Sequence, residues 1–287
     1  MARAAGTVRP VSEPQVDRAL GVALVTGACS GIGRELAEGL ARRGHALVLV
    51  SERAAALADA AAALRQAYAV AAHAICLDLA RPEAAPELHA AVAELGLEVD
   101  ILVNNAGIFF FGEAADASTA RANALLQLHV VTPSLLCTLF GREMRRRRRG
   151  QILIVSSISA WRDFPGISYY GASKRYLRGF ARALRSELGV YGVNVTCLAP
   201  GATATSLYEA SGSVPVERAR RLGLMMDARQ VAEAGLKAMF SRKAERIPGA
   251  LNWLAALAAQ LTPQWVVDLI RRRAPWLPRR DRQEDSA

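Results

Sequence analysis

"GVALVTGACSGIGRELAEGLARRG", residues 21–44, changes its hydrophobic period twice in twenty-four residues. "GVALVTG" is a short, continuously apolar run that ends in a glycine turn, the pattern of a buried strand. From Gly31 onward Ile32, Leu36 and Leu40 recur at helical spacing, and Gly44 stands where a helix would be capped. The stretch therefore predicts strand, glycine-rich turn, helix. The glycines at 27, 31 and 33 allow a tight turn and let the backbone approach a pyrophosphate, which the positive end of the helix attracts.

The same alternation continues along the chain. "ALVLV" (46–50) is a second strand, followed by an alanine-rich helix through about Ala67. "AICLDL" (74–79), "DILVNNAG" (100–107), "QILIVSS" (151–157) and "VNVTCLAPG" (193–201) are four more apolar strands, separated by helix-length segments. Buried strands alternating with helices imply an α/β protein with a doubly wound parallel sheet, helices on both faces, and a ligand site at the carboxyl ends of the strands. The expected organisation is a loose N-terminal arm (1–20), one Rossmann-like domain (21–249), and a C-terminal helical extension with a charged tail (250–287).

The 287 residues are 52% hydrophobic and 22% charged, a globular composition. The net charge of +10 is carried almost wholly by arginine, since lysine occurs only at 174, 237 and 243. The arginine runs at 145–149 and 271–273 read as solvated helix ends, and no nucleic-acid motif accompanies them. Four cysteines (29, 76, 137, 197) lie far apart, which implies no metal site, no disulfide framework, and a reducing, cytoplasmic setting. The first twenty residues lack the apolar core of a signal peptide, and no uninterrupted apolar run reaches the ~18 residues of a membrane span.

"SYYGASK" (168–174) falls between the fifth and sixth strands, near the expected ligand edge. On a helix Tyr170 and Lys174 stand one turn apart on one face, whereas Tyr169 points elsewhere. A cation beside a phenol favours the phenolate, bringing a pKa of ~10 towards the range of a working acid or base.

With these residues in place the chain resembles the short-chain dehydrogenase/reductase family, from about Gly21 to Gly249. TGxxxGxG at 26–33, "LDL" at 77–79, "NNAG" at 104–107, "VSSISA" at 155–160, YxxxK at 170–174 and "PGATAT" at 200–205 fall in the family's order. The resemblance implies a Rossmann-like oxidoreductase that interconverts a carbonyl and an alcohol. It implies that Tyr170 is the general acid/base, that Lys174 lowers its pKa and binds the nicotinamide ribose, and that Ser157, thirteen residues before the tyrosine, orients the substrate oxygen. Ser156 and Ser159 are expected to be structural. It places NAD or NADP against Gly27, Ser30, Gly31, Ile32 and Gly33, with Asp78 and Leu79 by the adenine. Asn105, Ala106 and Gly107 would stand beside the ribose, Tyr170 and Lys174 at the nicotinamide ribose, and Pro200, Gly201 and Thr205 at the nicotinamide end.

Two positions depart from the family. Where many members carry an asparagine in the helix after NNAG, "LQLHVVTP" places His129, which either joins the proton relay or is a buried histidine bonded to nearby backbone. After the second strand, "SERAAAL" has neither an acid at 51 nor an arginine at 52. Glu52 opposes a 2′-phosphate, while small Ser51 and nearby Arg53 admit one, so both NAD and NADP remain open.

Phe109, Phe110, Phe111, Trp161 and Phe164 flank the expected pocket, and an apolar substrate is expected, with Trp161 and Phe164 as substrate residues. Residues 207–226 are expected to cover the substrate, and Asp227 with Gln230 marks a capping box that starts a new helix. Residues 250–270 hold one charge, Asp268, and are split by Pro263. They read as a hairpin over the pocket, a subunit contact, or a peripheral membrane contact. The partners expected are a small carbonyl or alcohol and a second copy in a homodimer or homotetramer. The alternative function is a dinucleotide-binding regulatory or scaffold protein with little turnover.

Overall fold

The structure is a computed structural model and describes residues 20–203 and 225–273. Seven parallel strands form one sheet in the order β3-β2-β1-β4-β5-β6-β7. They are β1 (Val22–Thr26), β2 (Ala46–Ser51), β3 (Ala72–Cys76), β4 (Val99–Asn104), β5 (Gly150–Val155), β6 (Val193–Leu198) and β7 (Glu245–Arg246). The chain winds outward from β1 through β2 to β3, returns to place β4 on the other side of β1, and winds outward again. The crevice of a doubly wound sheet opens where the direction reverses, at the carboxyl ends of β1 and β4.

Side chains alternate across the sheet and supply two cores. Leu24, Val48, Leu102, Ile152 and Val195 pack under α3 (Ala84–Glu94), α5 (Thr132–Arg147) and α6 (Ser168–Gly189). Val25, Leu49, Val103, Leu153 and Leu198 pack under α1 (Gly31–Ala41), α2 (Ala54–Tyr68) and α7 (Ala228–Phe240). Both faces are covered, so the strands are continuously apolar.

Helix α4 (Thr119–Leu126) runs through one wide turn, Gln127–Val131, into α5. By length and composition the continuous helix Thr119–Arg147 could cross a bilayer. Leu136, Cys137, Phe140 and Met144 instead lie on the sheet, fully buried, so it is a core helix. The two terminal helices, α8 (Ala250–Leu261) and α9 (Gln264–Arg273), break at Pro263 as the sequence predicts.

Four local expectations need adjustment. The third strand ends at Cys76, because β2 offers no partner beyond Ser51, so "LDL" forms the wall of the crevice instead. The two-residue β7 carries no apolar run; it is held through Cys197–Glu245 and Leu198–Arg246 pairing. At α7, Asp227 accepts from the Arg229 amide at 2.9 Å, one residue earlier than a capping box requires. Helix α1 is capped at Arg42 rather than at Gly44, which at φ +84° turns the chain towards β2 while its amide donates to the Ala41 carbonyl.

Candidate active site and cofactor pocket

The glycine-rich turn is shaped by what it touches. Gly27 has φ +66°, and a Cβ there would lie 2.9 Å from the side-chain Nδ2 of Asn105 and 3.0 Å from the Ala106 Cα. A Cβ on Gly33 would run into the Gly27 carbonyl oxygen. Only glycine lets β1 and α1 meet this closely, and Gly33 works from behind the turn rather than on its open side. At the open side Ser30, the residue before α1, leaves the first-turn amides uncapped by its side chain. These amides and the helix dipole suit an anionic diphosphate.

Thr26 ties this turn to the tip of β4. Its hydroxyl donates to the Val103 carbonyl and accepts from the amides of Asn105 (2.9 Å) and Ala106 (3.0 Å). The Asn105 side chain returns a bond to the Thr26 carbonyl at 2.9 Å. The sequence names Asn105 and Ala106 as cofactor residues, and the structure adds the threonine that fixes them.

A cavity of about 650 Å³ opens over this edge. Gly27, Ser30, Gly31, Ile32, Ser51, Arg53, Asp78, Leu79, Asn105, Ala106 and Gly107 line it, and so do His129, Ser157, Tyr170, Lys174, Pro200 and Gly201. The carboxyl ends of six strands, with the wide helical turn and α6, thus place nearly every residue singled out in the sequence around one space. Cys29, Glu52 and Thr203 also line it. Both Cys29 and Thr203 could have been found from their places inside motifs, Cys29 within TGACSGIG and Thr203 within PGATAT.

Near the second strand, the Arg53 guanidinium lies 3.1 Å from the Cys29 sulfur, and that sulfur lies 3.0 Å from the Ser51 hydroxyl. The Arg53 amide also donates to Ser51 Oγ at 3.3 Å. A small hydroxyl and a guanidinium therefore share one corner, with exposed Glu52 on the rim.

At the opposite end, β5 grips α6 around Lys174. Lys174 Nζ donates to the Val155 carbonyl at 3.1 Å, and Ser156 Oγ donates to the Lys174 carbonyl at 2.7 Å. Ser156 is thus bonded to backbone. Nζ stands 5.6 Å from the centre of the Tyr170 ring. Burial lowers the Lys174 pKa to about 8. Tyr170 is buried, and Phe109 meets its ring edge-on at 4.9 Å between centroids. Tyr169 packs instead near Phe110, as the helical offset predicts. Ser157 caps the short turn Ile158–Trp161, and its hydroxyl accepts from the Ser159 amide at 3.2 Å.

His129 sits on the wide helical turn, buried, with its ring 5.8 Å from that of Tyr170. Its Nε2 accepts from the Ile108 amide at 2.9 Å, so that nitrogen carries no proton. Its Nδ1 is 2.9 Å from Ser173 Oγ, and that hydroxyl donates to the Tyr170 carbonyl at 2.8 Å. The chain of donors assigns the neutral Nδ1–H tautomer. Burial, with Lys174 nearby, holds its pKa well below the ordinary 6.5. Ser173 completes this path, and its position beside the YxxxK pair gave no sequence signal.

The aromatic residues divide. Phe110 is buried, with Arg121 over its ring. Trp161 does not line the cavity: it lies under the Arg178 guanidinium at 3.9 Å and packs with Ala160, Ala199 and Ala256 of α8. Phe164 is 41% exposed and also lies off the cavity lining. Thr205 and residues 207–224 of the expected cover lie outside the described residues, as do residues 1–19 and 274–287. Among the described residues, no cluster of metal-ligating side chains occurs.

The uncapped helix start, the glycines that admit a diphosphate, and the cavity of about 650 Å³ lined from Ser51 to Tyr170 fit a nicotinamide dinucleotide. The short chain dehydrogenase family profile matches residues 21–214. Human "Dehydrogenase/reductase SDR family member 4" is 36% identical over 209 residues, 71% of this chain and 75% of the relative. Among solved structures, a short-chain dehydrogenase from Sphingobium yanoikuyae in complex with NADPH superposes with a TM-score of 0.75. It is 29% identical, with 86% of this chain and 95% of that one covered. The bulky-bulky ketone specific alcohol dehydrogenase from Comamonas testosteroni superposes with a TM-score of 0.71 at 26% identity, covering 93% and 97%. With the sheet order, the dinucleotide-shaped crevice and these likenesses in agreement, the chain belongs to the short-chain dehydrogenase family and is an NAD(P)-dependent oxidoreductase.

Proposed function

We propose that the enzyme interconverts an apolar ketone and its secondary alcohol with NADP(H), using Tyr170 as the general acid/base. The observation that carries this reading is the convergence of Ser157, Tyr170 and Lys174 on the cavity that also holds the glycine-rich turn. When bound along the glycine-rich turn and Lys174, a nicotinamide cofactor would supply the hydride for the carbonyl carbon. Ser157 orients the carbonyl oxygen, and the Tyr170 hydroxyl gives that oxygen its proton. The Lys174 cation, anchored on the Val155 carbonyl, stabilises the phenolate left behind. Oxidation runs the same steps backwards. His129 holds rather than relays: both ring nitrogens are engaged, one by the Ile108 amide and one by Ser173.

NADP(H) is favoured over NAD(H) by the corner at Ser51. The Arg53 guanidinium is within reach of a 2′-phosphate there, and the Ser51 hydroxyl takes up little room. The Sphingobium structure is itself a complex with NADPH. An apolar substrate is supported by the ring of Phe109 against Tyr170, and the Comamonas likeness is to a bulky-ketone enzyme. The reading includes a cytoplasmic location and a homodimer or homotetramer formed through α5 and α6, where Leu135 and Tyr176 are exposed.

Tyr170→Phe tests the assignment. Turnover of a ketone screen hit should fall by ~10²–10⁴, the usual worth of general acid/base help, with NADPH affinity little changed. Near-normal turnover of the variant would remove Tyr170 from the chemistry, whereas a wild type that binds NADPH and turns over no ketone would favour a nucleotide-binding regulatory protein.

A further inference from the structure

Helix α8 is amphipathic in the reverse sense. At 3.6 residues per turn, Asn252 and Ala256 share one face, and that face meets the protein. Ala256 is buried beside Trp161 and Ala199, and Asn252 donates to the Pro248 carbonyl at 2.9 Å. The opposite face carries Leu251, Leu254 and Leu261, with Trp253 at its edge, and α9 adds Trp265 and Ile270. All six are more than half exposed, from 52% at Ile270 to 73% at Leu261. A surface helix ordinarily turns its apolar stripe inward, so a set of large side chains turned outward marks a contact surface.

Charge selects the occupant. Residues 250–267 carry no ionisable side chain, and after the single acid Asp268 the run ends at Arg271, Arg272 and Arg273. Arg175 and Arg182 of α6 line a shallow cleft with Gln260 at the far end of α8. The apolar patch is therefore bordered by arginine at both ends, on a chain of net charge +10. A second copy joined patch to patch about a twofold axis would bring these arginines near their own copies. An anionic bilayer accepts the exposed Arg182, Arg272 and Arg273, and tryptophan suits the boundary between headgroups and acyl chains.

We infer that α8 and α9 dock this enzyme on an anionic lipid surface, with the leucines and tryptophans in the headgroup–acyl boundary and the arginines at lipid phosphates. The docking face adjoins the cavity. Helix α8 packs on the turn that follows Ser157, and a Cβ on Gly201 of the cavity wall would run into Asn252. Arg271 pairs with Glu113, next to Gly112, which bonds the Gly166 carbonyl ahead of α6. Docking thus brings the substrate end of the cavity near the bilayer, where an apolar ketone is concentrated. That last consequence rests on the proposed function, whereas the docking itself does not.

Flotation of the full chain with vesicles tests the inference, using phosphatidylcholine alone and phosphatidylcholine mixed with phosphatidylglycerol. The protein should float with the mixed vesicles and stay below with phosphatidylcholine alone, and high salt should weaken the binding. The double variant Leu254→Glu/Trp265→Glu should lose partition about tenfold or more, because two exposed apolar side chains that enter the headgroup–acyl boundary on docking are replaced by anions. Its NADPH binding should match the wild type, which shows that the variant is folded. Wild-type protein that stays below with mixed vesicles, or a double variant that floats equally well, overturns the docking. A wild-type dimer that ignores vesicles and splits in the variant assigns the patch to a second copy and also overturns it. Loss of NADPH binding by the wild type would refute the proposed function and leave the flotation result standing.

Discussion

Replacing His129 with leucine separates a holding role from a proton-relay role, because the two predict opposite responses to acid. Leucine removes the acceptor for the Ile108 amide and the donor to Ser173. An orphaned buried amide costs about 1–3 kcal/mol. With some loss of packing at a fully enclosed site, the total should reach about 2–4 kcal/mol near pH 7.5. The folded protein holds His129 neutral, with its pKa well below 6.5, whereas the unfolded chain protonates it as pH falls through 6.5. Wild-type stability therefore contains a contribution from His129 that is lost in acid, at up to about 1.4 kcal/mol per pH unit below 6.5. The variant has no such contribution. The stability gap between wild type and His129→Leu should accordingly shrink from pH 7.5 to pH 5, as followed by urea unfolding at each pH. His129→Asn, which can still accept from the amide, should recover part of the loss. A gap that widens in acid would mean that the folded state prefers the imidazolium, and the assignment of a neutral Nδ1–H tautomer would fail.

Two further perturbations act on the ends of the cofactor crevice. Arg53→Ala should weaken NADPH binding about tenfold or more, near 1.4 kcal/mol, and leave NADH binding almost unchanged, as read by nucleotide fluorescence. Equal losses for both nucleotides would place Arg53 away from the 2′ position. Lys174, lowered to about 8 by burial, is increasingly neutral above that pH in the free enzyme. If cofactor hydroxyls favour its charged form, binding at pH 8.5 should take up a proton and show a buffer-dependent enthalpy that disappears by pH 6.5. Buffer-independent enthalpies at both pH values would dissociate Lys174 from cofactor binding.

The sheet was legible because its strands are buried on both faces, so each appears as an apolar run whatever its neighbours. β7 escaped, and β3 runs over Ala72–Cys76 rather than the expected 74–79, for the same reason in reverse. β3 has one partner strand and exposes alternate residues, and β7 consists of Glu245 and Arg246 held by backbone pairing. In the site, residues fixed by backbone geometry were legible: Gly27 and Gly33 are required by close approach, and the Tyr170–Lys174 offset by helical spacing. Residues that act through hydrogen bonds between distant elements left no local pattern. Ser173 is an ordinary helix serine until His129, 44 residues earlier, is seen against it. Trp161 shows the opposite failure, since an aromatic residue near a pocket and one under an arginine look alike in one dimension.

The clasp at Thr26 bears on how nucleotide enters and leaves. One hydroxyl joins the end of β1 to the two amides that follow β4, and 77 to 80 residues of chain separate its partners. This wall of the crevice cannot yield without disturbing the two central strands, so it serves as a fixed jaw. Admission and release of the cofactor then depend on movement away from this wall. Substitutions at Thr26 should accordingly change affinity and stability together, because the same hydroxyl holds the crevice and the two central strands.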